Sequence, residues 1–403
     1  MTLLPPNNPE IELLLSCART HLNPQTTERI NALVQKNIDW EYLSKTALHH
    51  RVMPLLYRSL KSTCSNGVPN ETMEKLRSQF LTNAARNLYL THELLKILGL
   101  MEEEDILAVP FKGPVLATSI FGDITLRQFS DLDILIHPNH ALKARNVLTA
   151  NGYRPEIELD DKQFCIYLKS KNAATFICDE KKAFVDLHWG LKVRNAAFPV
   201  HPDHSDNHLN LVVMEGHKVH NLPPEDLLLY LCVHGALHCW DSLGWICCVA
   251  ELIQSNPDLN YEQIIQMVKK VKCERIFSLG LFLAQDLLGA EPPIKINKYF
   301  KKDPNIESLA IEVYRNLFHN NDKSTNSKIS NKFSSFHIKV RDHYSEKIRH
   351  ISQTVMCPTK EDWRRFPLPA SISFLHYLLR PIRLSLELLT VLFKKCFKKS
   401  IAQ

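Results

Sequence analysis

At 403 residues the chain is longer than the roughly 250–300 at which one hydrophobic core stops growing, so more than one packed unit is expected. Its 45% hydrophobic and 23% charged residues, with only 11 glycines, exclude a disordered or fibrous protein. A net charge of +6 is too small and too dispersed for a nucleic-acid footprint over the whole chain, since only Lys394, Lys395, Lys398 and Lys399 cluster.

The 11 cysteines are an odd number, include the adjacent Cys247 and Cys248, and form no C-x-x-C pair, which suits reduced thiols in a cytoplasmic protein. The opening MTLLPPNNPEIELLL has no basic stretch ahead of its apolar run and does not resemble a secretory signal. No apolar run reaches the ~18 residues of a membrane span.

Residues 1–104 form the first expected unit, a helical region of about five helices. Its apolar residues recur at helical spacing, as in Ile11, Leu14, Leu15 and Ala18, and again in Leu88, Leu90, Leu94, Leu95 and Leu98. An α/β core is expected over residues 105–200. There ILAVPF and SDLDILIHP read as strands, with a short helix at Pro114–Phe121 between them. Asn139 is expected to cap a helix over Ala141–Ala150 that stops at Asn151-Gly152. Strands are then expected at Gln163–Lys169, Ala174–Cys178 and Ala183–Trp189.

Residues 201–319 read as a C-terminal helical domain. Its segments are Glu225–His238, Leu243–Gln254, Tyr261–Val271, Arg275–Leu288 and Ile306–Phe318. A polar loop follows at 320–336, rich in Asn, Ser and Lys, and then a helical segment at 337–403 with a basic tail, including a helix near Lys339–Thr354. The fold class is therefore α/β, a small mixed β-sheet flanked by N- and C-terminal helical regions.

The chemistry centres on three carboxylates. Asp131 and Asp133 are two apart on one strand, so they share a face, and Asp186 lies inside the apolar strand FVDLHW. A carboxylate in a buried strand is costly unless it is paired or bound to metal. Three of them open on one side match a magnesium-nucleotide centre, because magnesium takes few carboxylates and keeps waters and substrate phosphates. The bland alternative is a turn or helix cap at Ser130-Asp131.

Other residues carry double readings. His188 could orient a carboxylate, touch a nucleotide base, or fill the core. His234, His238 and Cys239 have metal-ligand spacing on a helix but no fourth ligand, so helix packing is the favoured reading, with nucleotide or acceptor contact behind it. His49, His50 and Arg51 could line a cleft, although a surface helix is the simpler expectation. The run Leu378–Lys399 reads as a docked terminal helix with a solvated tail, with weak peripheral contact to an anionic membrane as the alternative.

FKGPVLATSIFGDITLRQFSDLDILI followed by FVDLHWGL resembles the uncharacterised nucleotidyltransferases of the polymerase-beta-like superfamily. HHRVMPLLYRSL, VHGALHCWDSLGWICCVAEL and EDWRRFPLP with LLRPIRL extend the resemblance over nearly the whole chain. It implies a nucleotidyltransferase core in which Asp131 and Asp133 bind magnesium, or manganese in its place, and Asp186 binds a second ion or acts as base. Lys112 and Gly113 fall at the phosphate-binding turn, here Lys-Gly-Pro without the usual serine. Arg127 is a second triphosphate contact, and Ser130 and His188 complete the nucleotide-binding candidates. The implied partners are an NTP, ATP first among them, and an unidentified small-molecule, protein or RNA acceptor attacking the α-phosphorus. A catalytically silent binding relative and an RNA-directed enzyme are the alternatives. The related pattern carries an aspartate where this chain has Cys248, which points to a different acceptor.

Overall fold

The computed structural model describes residues 8–64, 67–193, 196–197, 209–292, 303–318 and 335–400. The first stretches fold into five helices: α1 (Pro9–Cys17), α2 (Pro24–Val34), α3 (Trp40–His49), α4 (Met53–Thr63) and α5 (Asn70–Glu102). Their starts are encoded locally. Asn8, Asn23 and Asp39 each accept the backbone N–H three residues on, and prolines open α1 and α2, where a missing N–H costs nothing. At 33 residues α5 is about 50 Å long.

The sheet follows, built from β1 (Val109–Pro110), β2 (Asp131–Leu135), β3 (Arg154–Pro155), β4 (Ala173–Cys178) and β5 (Ala183–His188). Its order is β1-β2-β5-β4-β3, with β2 and β5 parallel and the other pairs antiparallel. Helices α6 (Pro114–Phe121), α7 (Ala141–Ala150) and α8 (Asp161–Ser170) connect the strands. A two-residue ladder joins β6 (Lys192–Val193) to β7 (Ala196–Ala197). Next comes a hairpin of β8 (Asn210–Met214) and β9 (His217–Asn221), whose turn residues Glu215 and Gly216 both have positive φ, as a two-residue hairpin loop requires.

Helices α9 (Pro224–Leu237), α10 (Leu243–Ser255), α11 (Tyr261–Val271) and α12 (Glu274–Leu288) follow, and further helices lie at Asn305–Phe318, Ser335–Lys339, Tyr344–Met356, Lys360–Arg365 and Leu375–Ser400. Among the described residues no helix is long and apolar enough to cross a membrane.

Four local expectations change. Gln163–Lys169 is helical, not a strand: Asp160 and Gln163 form a capping box, and Phe164 and Tyr167 then bury one helical face. Asn139 lies inside a 3-10 turn, where its own N–H is accepted by His137 Nδ1, and it does not cap α7. The expected helix Lys339–Thr354 is two helices, separated around Val340–His343. The β8–β9 hairpin was not anticipated, because β8 (NLVVM) is a continuous apolar run without alternation and β9 (HKVHN) is largely polar. Most of the 320–336 polar stretch lies outside the described residues.

Two hydrophobic cores result. One gathers α1–α4 with α9, α10 and α12, so helices on either side of the sheet in sequence pack together. The other lies between the sheet and α5, α7 and α8, and takes in Trp363 from the C-terminal part. A buried Glu251 of α10 binds the backbone N–H of Thr20 at 2.9 Å and also its hydroxyl, tying the early helices to the late ones. Trp363 packs on Tyr167 and stacks on His376 at 4.2 Å. Beside it the fully buried Asp362 receives Arg383 Nε at 2.5 Å, which ties the helix Lys360–Arg365 to the terminal helix Leu375–Ser400.

The helical core has no spare room around Trp240, whose indole is completely buried. A Cβ on Gly235 would lie 2.4 Å from that ring, whereas one on Gly99 in α5 meets nothing within 4 Å. Gly235→Ala is therefore expected to cost about 1–3 kcal/mol or more through overpacking. Gly99→Ala is expected to gain roughly 0.5–1 kcal/mol from helix propensity. Urea denaturation of both variants checks the pair, and equal effects would contradict the packing around Trp240.

Candidate active site

Strand β2 is paired on both edges, and Leu132 and Ile134 enter the sheet core, so the period of two turns Asp131 and Asp133 to the opposite face. There the parallel register of β5 makes Asp186 the direct partner of Asp133. On the other side of β5, Thr175 of β4 is the partner of Asp186 and donates its hydroxyl to Asp186 Oδ1 at 2.5 Å.

Asp133 is 4% exposed, and a charge so buried needs compensation. Lys112 Nζ donates to Asp133 Oδ1 at 3.2 Å, and His188 Nε2 lies 3.0 Å from the same oxygen. Burial pushes the Asp133 carboxyl upward, but the Lys112 charge and the His188 contact outweigh it and hold the group well below the usual carboxylate range. Lys112 shows the mirror case: burial pulls its pKa down, and the Asp133 charge more than restores it. Asp131 is shifted upward, first by burial and then by the neighbouring Asp133, against the opposing pull of Lys112 and Arg127.

The turn that delivers Lys112 depends on glycine. Gly113 has φ +57° and ψ −127°, and a Cβ there would come within 3.1 Å of the Asp131 carbonyl. The turn can therefore lie against β2, and Pro114 starts α6 immediately after it. The segment before β2 is held by α5: Asn87 Nδ2 donates to the carbonyls of Ile124 at 2.5 Å and Arg127 at 2.7 Å. The Arg127 side chain is buried, and its Nη1 has no hydrogen-bond partner among the described residues.

Of the residues named from sequence, Lys112, Asp133, Asp186 and His188 converge. Asp133, Asp186 and His188 offer ligand atoms within 4.8 Å of one another. Asp131 shares their face but lies outside that group, Ser130 is exposed at the strand entrance, and Gly113 shapes the turn. His234, His238 and Cys239 do not form a ligand group among the described residues. Instead His234 stacks on Tyr230 and meets Trp245 edge-on at 4.6 Å. His50 is buried, not on a surface helix, and its Nε2 lies 3.1 Å from the Leu317 carbonyl.

Three contributors had no sequence signal. Tyr230 of α9 presents its ring to Lys112, whose ammonium sits 5.2 Å from the ring centroid. Thr175 holds Asp186. Lys360, 185 residues further on, donates to Thr175 Oγ1 at 2.5 Å and to Glu156 at 3.0 Å. Only the three-dimensional docking of the C-terminal part brings Lys360 to this face.

Gly113→Ala is expected to cost roughly 1–3 kcal/mol, because left-handed strain and the close approach to Asp131 add together. Gly122 also has positive φ but open space around a Cβ, so Gly122→Ala should cost only about 1 kcal/mol. Chemical denaturation of the two variants checks this, and a Gly113 cost no larger than that of Gly122 would refute the tight approach to β2.

A family model described as uncharacterised nucleotidyltransferase matches residues 36–289, which is more than half of the chain and includes the whole sheet. The solution structure of the antibiotic-resistance factor ANT(2'')-Ia is similar at 12% identity over 47% of this chain and 91% of that chain, with a TM-score of 0.32, a likeness too loose to carry an argument. No curated protein sequence matches the chain. By the extent of the family match, the chain belongs to the uncharacterised nucleotidyltransferase family.

Proposed function

We propose that the chain is a divalent-metal-dependent nucleotidyltransferase that moves a nucleoside monophosphate from an NTP, ATP first among them, to a hydroxyl-bearing acceptor. The observation that carries this reading is the in-register pair Asp133 and Asp186, with a buried lysine on one oxygen of Asp133. Asp131, Asp133 and Asp186 would hold magnesium, or manganese in its place. The donor set fits, because carboxylate oxygens suit these hard cations, and a cation would relieve both the burial and the neighbouring Asp133 charge that raise the Asp131 pKa. When bound, the ion would neutralise phosphate charge and polarise the α-phosphorus.

The chain's own residues then divide the work. Lys112, compact and already charged, sits at the entrance of α6, where a helix N-terminus and an ammonium can face the triphosphate together. His188 keeps Asp133 oriented through the same oxygen that Lys112 binds. Asp186, steadied by Thr175 and Lys360, is placed to take the acceptor's proton. The acceptor oxygen forms a bond to the α-phosphorus, the bond from that phosphorus to the bridging oxygen breaks, and pyrophosphate leaves.

The test is transfer of label from each α-labelled NTP to pools of candidate small molecules, proteins and RNA, with magnesium present. Transfer by the natural chain and its loss by at least about a thousandfold in Asp131→Ala/Asp133→Ala is the expected result. NTP binding without transfer to any pool would favour the silent binding relative.

A further inference from the structure

The helix Leu375–Ser400 is inverted relative to an ordinary surface helix. Three of its polar residues point into the protein. His376 is fully buried, with its two ring nitrogens each 2.8 Å from a carbonyl, those of Ser373 and Phe366. Arg383 reaches Asp362, and Arg380, just as deeply buried as its neighbours, lies 3.3 Å from the Thr354 carbonyl and 3.7 Å from the same aspartate.

Large apolar residues face out instead. Leu378, Ile382, Leu386 and Leu389 stand three or four apart, the spacing of one helical face, and Phe374 precedes them at the same interval. All five are between 50% and 61% exposed. Single exposed leucines are ordinary, but a row of five along one face marks a surface that something covers. The expected docking of this helix therefore holds for one face only.

Charge decides what covers the other. Leu375–Ser400 holds two arginines and four lysines against a single acid, Glu387, and that acid is taken up by Arg383. Lys394, Lys395, Lys398 and Lys399 occupy the last turns. A second copy of the chain would add the same cations and no free acid of this helix to answer them. A bilayer with anionic headgroups complements both features, acyl chains for the apolar row and negative charge for the lysines. Among the described residues no helix is long and apolar enough to cross a membrane, so the helix would lie along the surface.

We propose that this face binds an anionic lipid surface, with Phe374, Leu378, Ile382, Leu386 and Leu389 entering the headgroup boundary and the four lysines meeting the headgroup charge. The proposal does not depend on the nucleotidyltransferase reading, because the face lies outside residues 36–289 that match the family.

Co-sedimentation of the full chain with vesicles tests it, comparing phosphatidylcholine alone with an equimolar mixture of phosphatidylcholine and phosphatidylserine. Binding to the mixed vesicles is expected to be at least about tenfold tighter than to the neutral ones and to weaken as salt rises. Leu378→Gln/Ile382→Gln/Leu386→Gln should weaken it at least about tenfold at an unchanged melting temperature, since these side chains are exposed in the free protein. Ser385→Leu, at an exposed position of the same face, should tighten it several-fold by widening the apolar row. Replacing all four lysines by glutamine should abolish the preference for phosphatidylserine. Failure to bind either vesicle, equal binding to both, or binding that survives the triple glutamine variant overturns the proposal. Self-association without lipid that the triple variant abolishes, with no vesicle binding, would assign the face to a second copy and overturn it as well.

Discussion

One buried carboxylate organises this molecule. Asp133 is placed in the middle of a central strand, away from solvent, where an uncompensated charge would cost several kcal/mol. Two groups from different elements meet that demand on a single oxygen, Lys112 from the glycine turn and His188 from the end of β5. Such an arrangement is a weak source of net stability, since both Lys112 and Asp133 are desolvated. Under the proposed function the arrangement serves exchange: the oxygen that now binds an ammonium would take a metal ion when a nucleotide brings negative charge to Lys112.

The rest of the architecture positions the two sides of that exchange. The parallel register of β2 and β5 sets the second carboxylate, and α5 pins the segment that carries Arg127 through Asn87. Helices from the two ends of the family-matched region share one core, so the α3–α4 turn and the start of α10 meet. The C-terminal part docks on the sheet unit through Trp363, which packs on Tyr167, and this carries Lys360 to Thr175. The carboxylate row is thus bracketed by cations from Lys112 at one end and Lys360 at the other.

Much of the sheet and of the carboxylate centre was legible in the chain because its signals are local. The spacing of Asp131 and Asp133, the apolar frame of Asp186, the Lys112-Gly113 turn and the extent of α6 are all written within a few residues. What was hidden depends on long-range packing. Tyr230 and Lys360 look like ordinary helical residues until α9 and the C-terminal part dock. Gln163–Lys169 misled because an aromatic, partly alternating run resembles a strand, while the capping box that decides for a helix lies at its edge. Arg51 was visible as a residue of the possible cleft, but its strained backbone and its place over Trp245 come from α10 closing on it.

The exchange at Asp133 can be measured directly by following the melting temperature against magnesium concentration in the natural chain and in Lys112→Met. Without the ammonium, Asp133 has lost its resident cation, so magnesium should stabilise the variant at lower concentration and by a larger shift than the natural chain. A magnesium response that is equal or smaller in Lys112→Met would contradict competition between Lys112 and a metal ion for Asp133, and with it the central role assigned to this carboxylate.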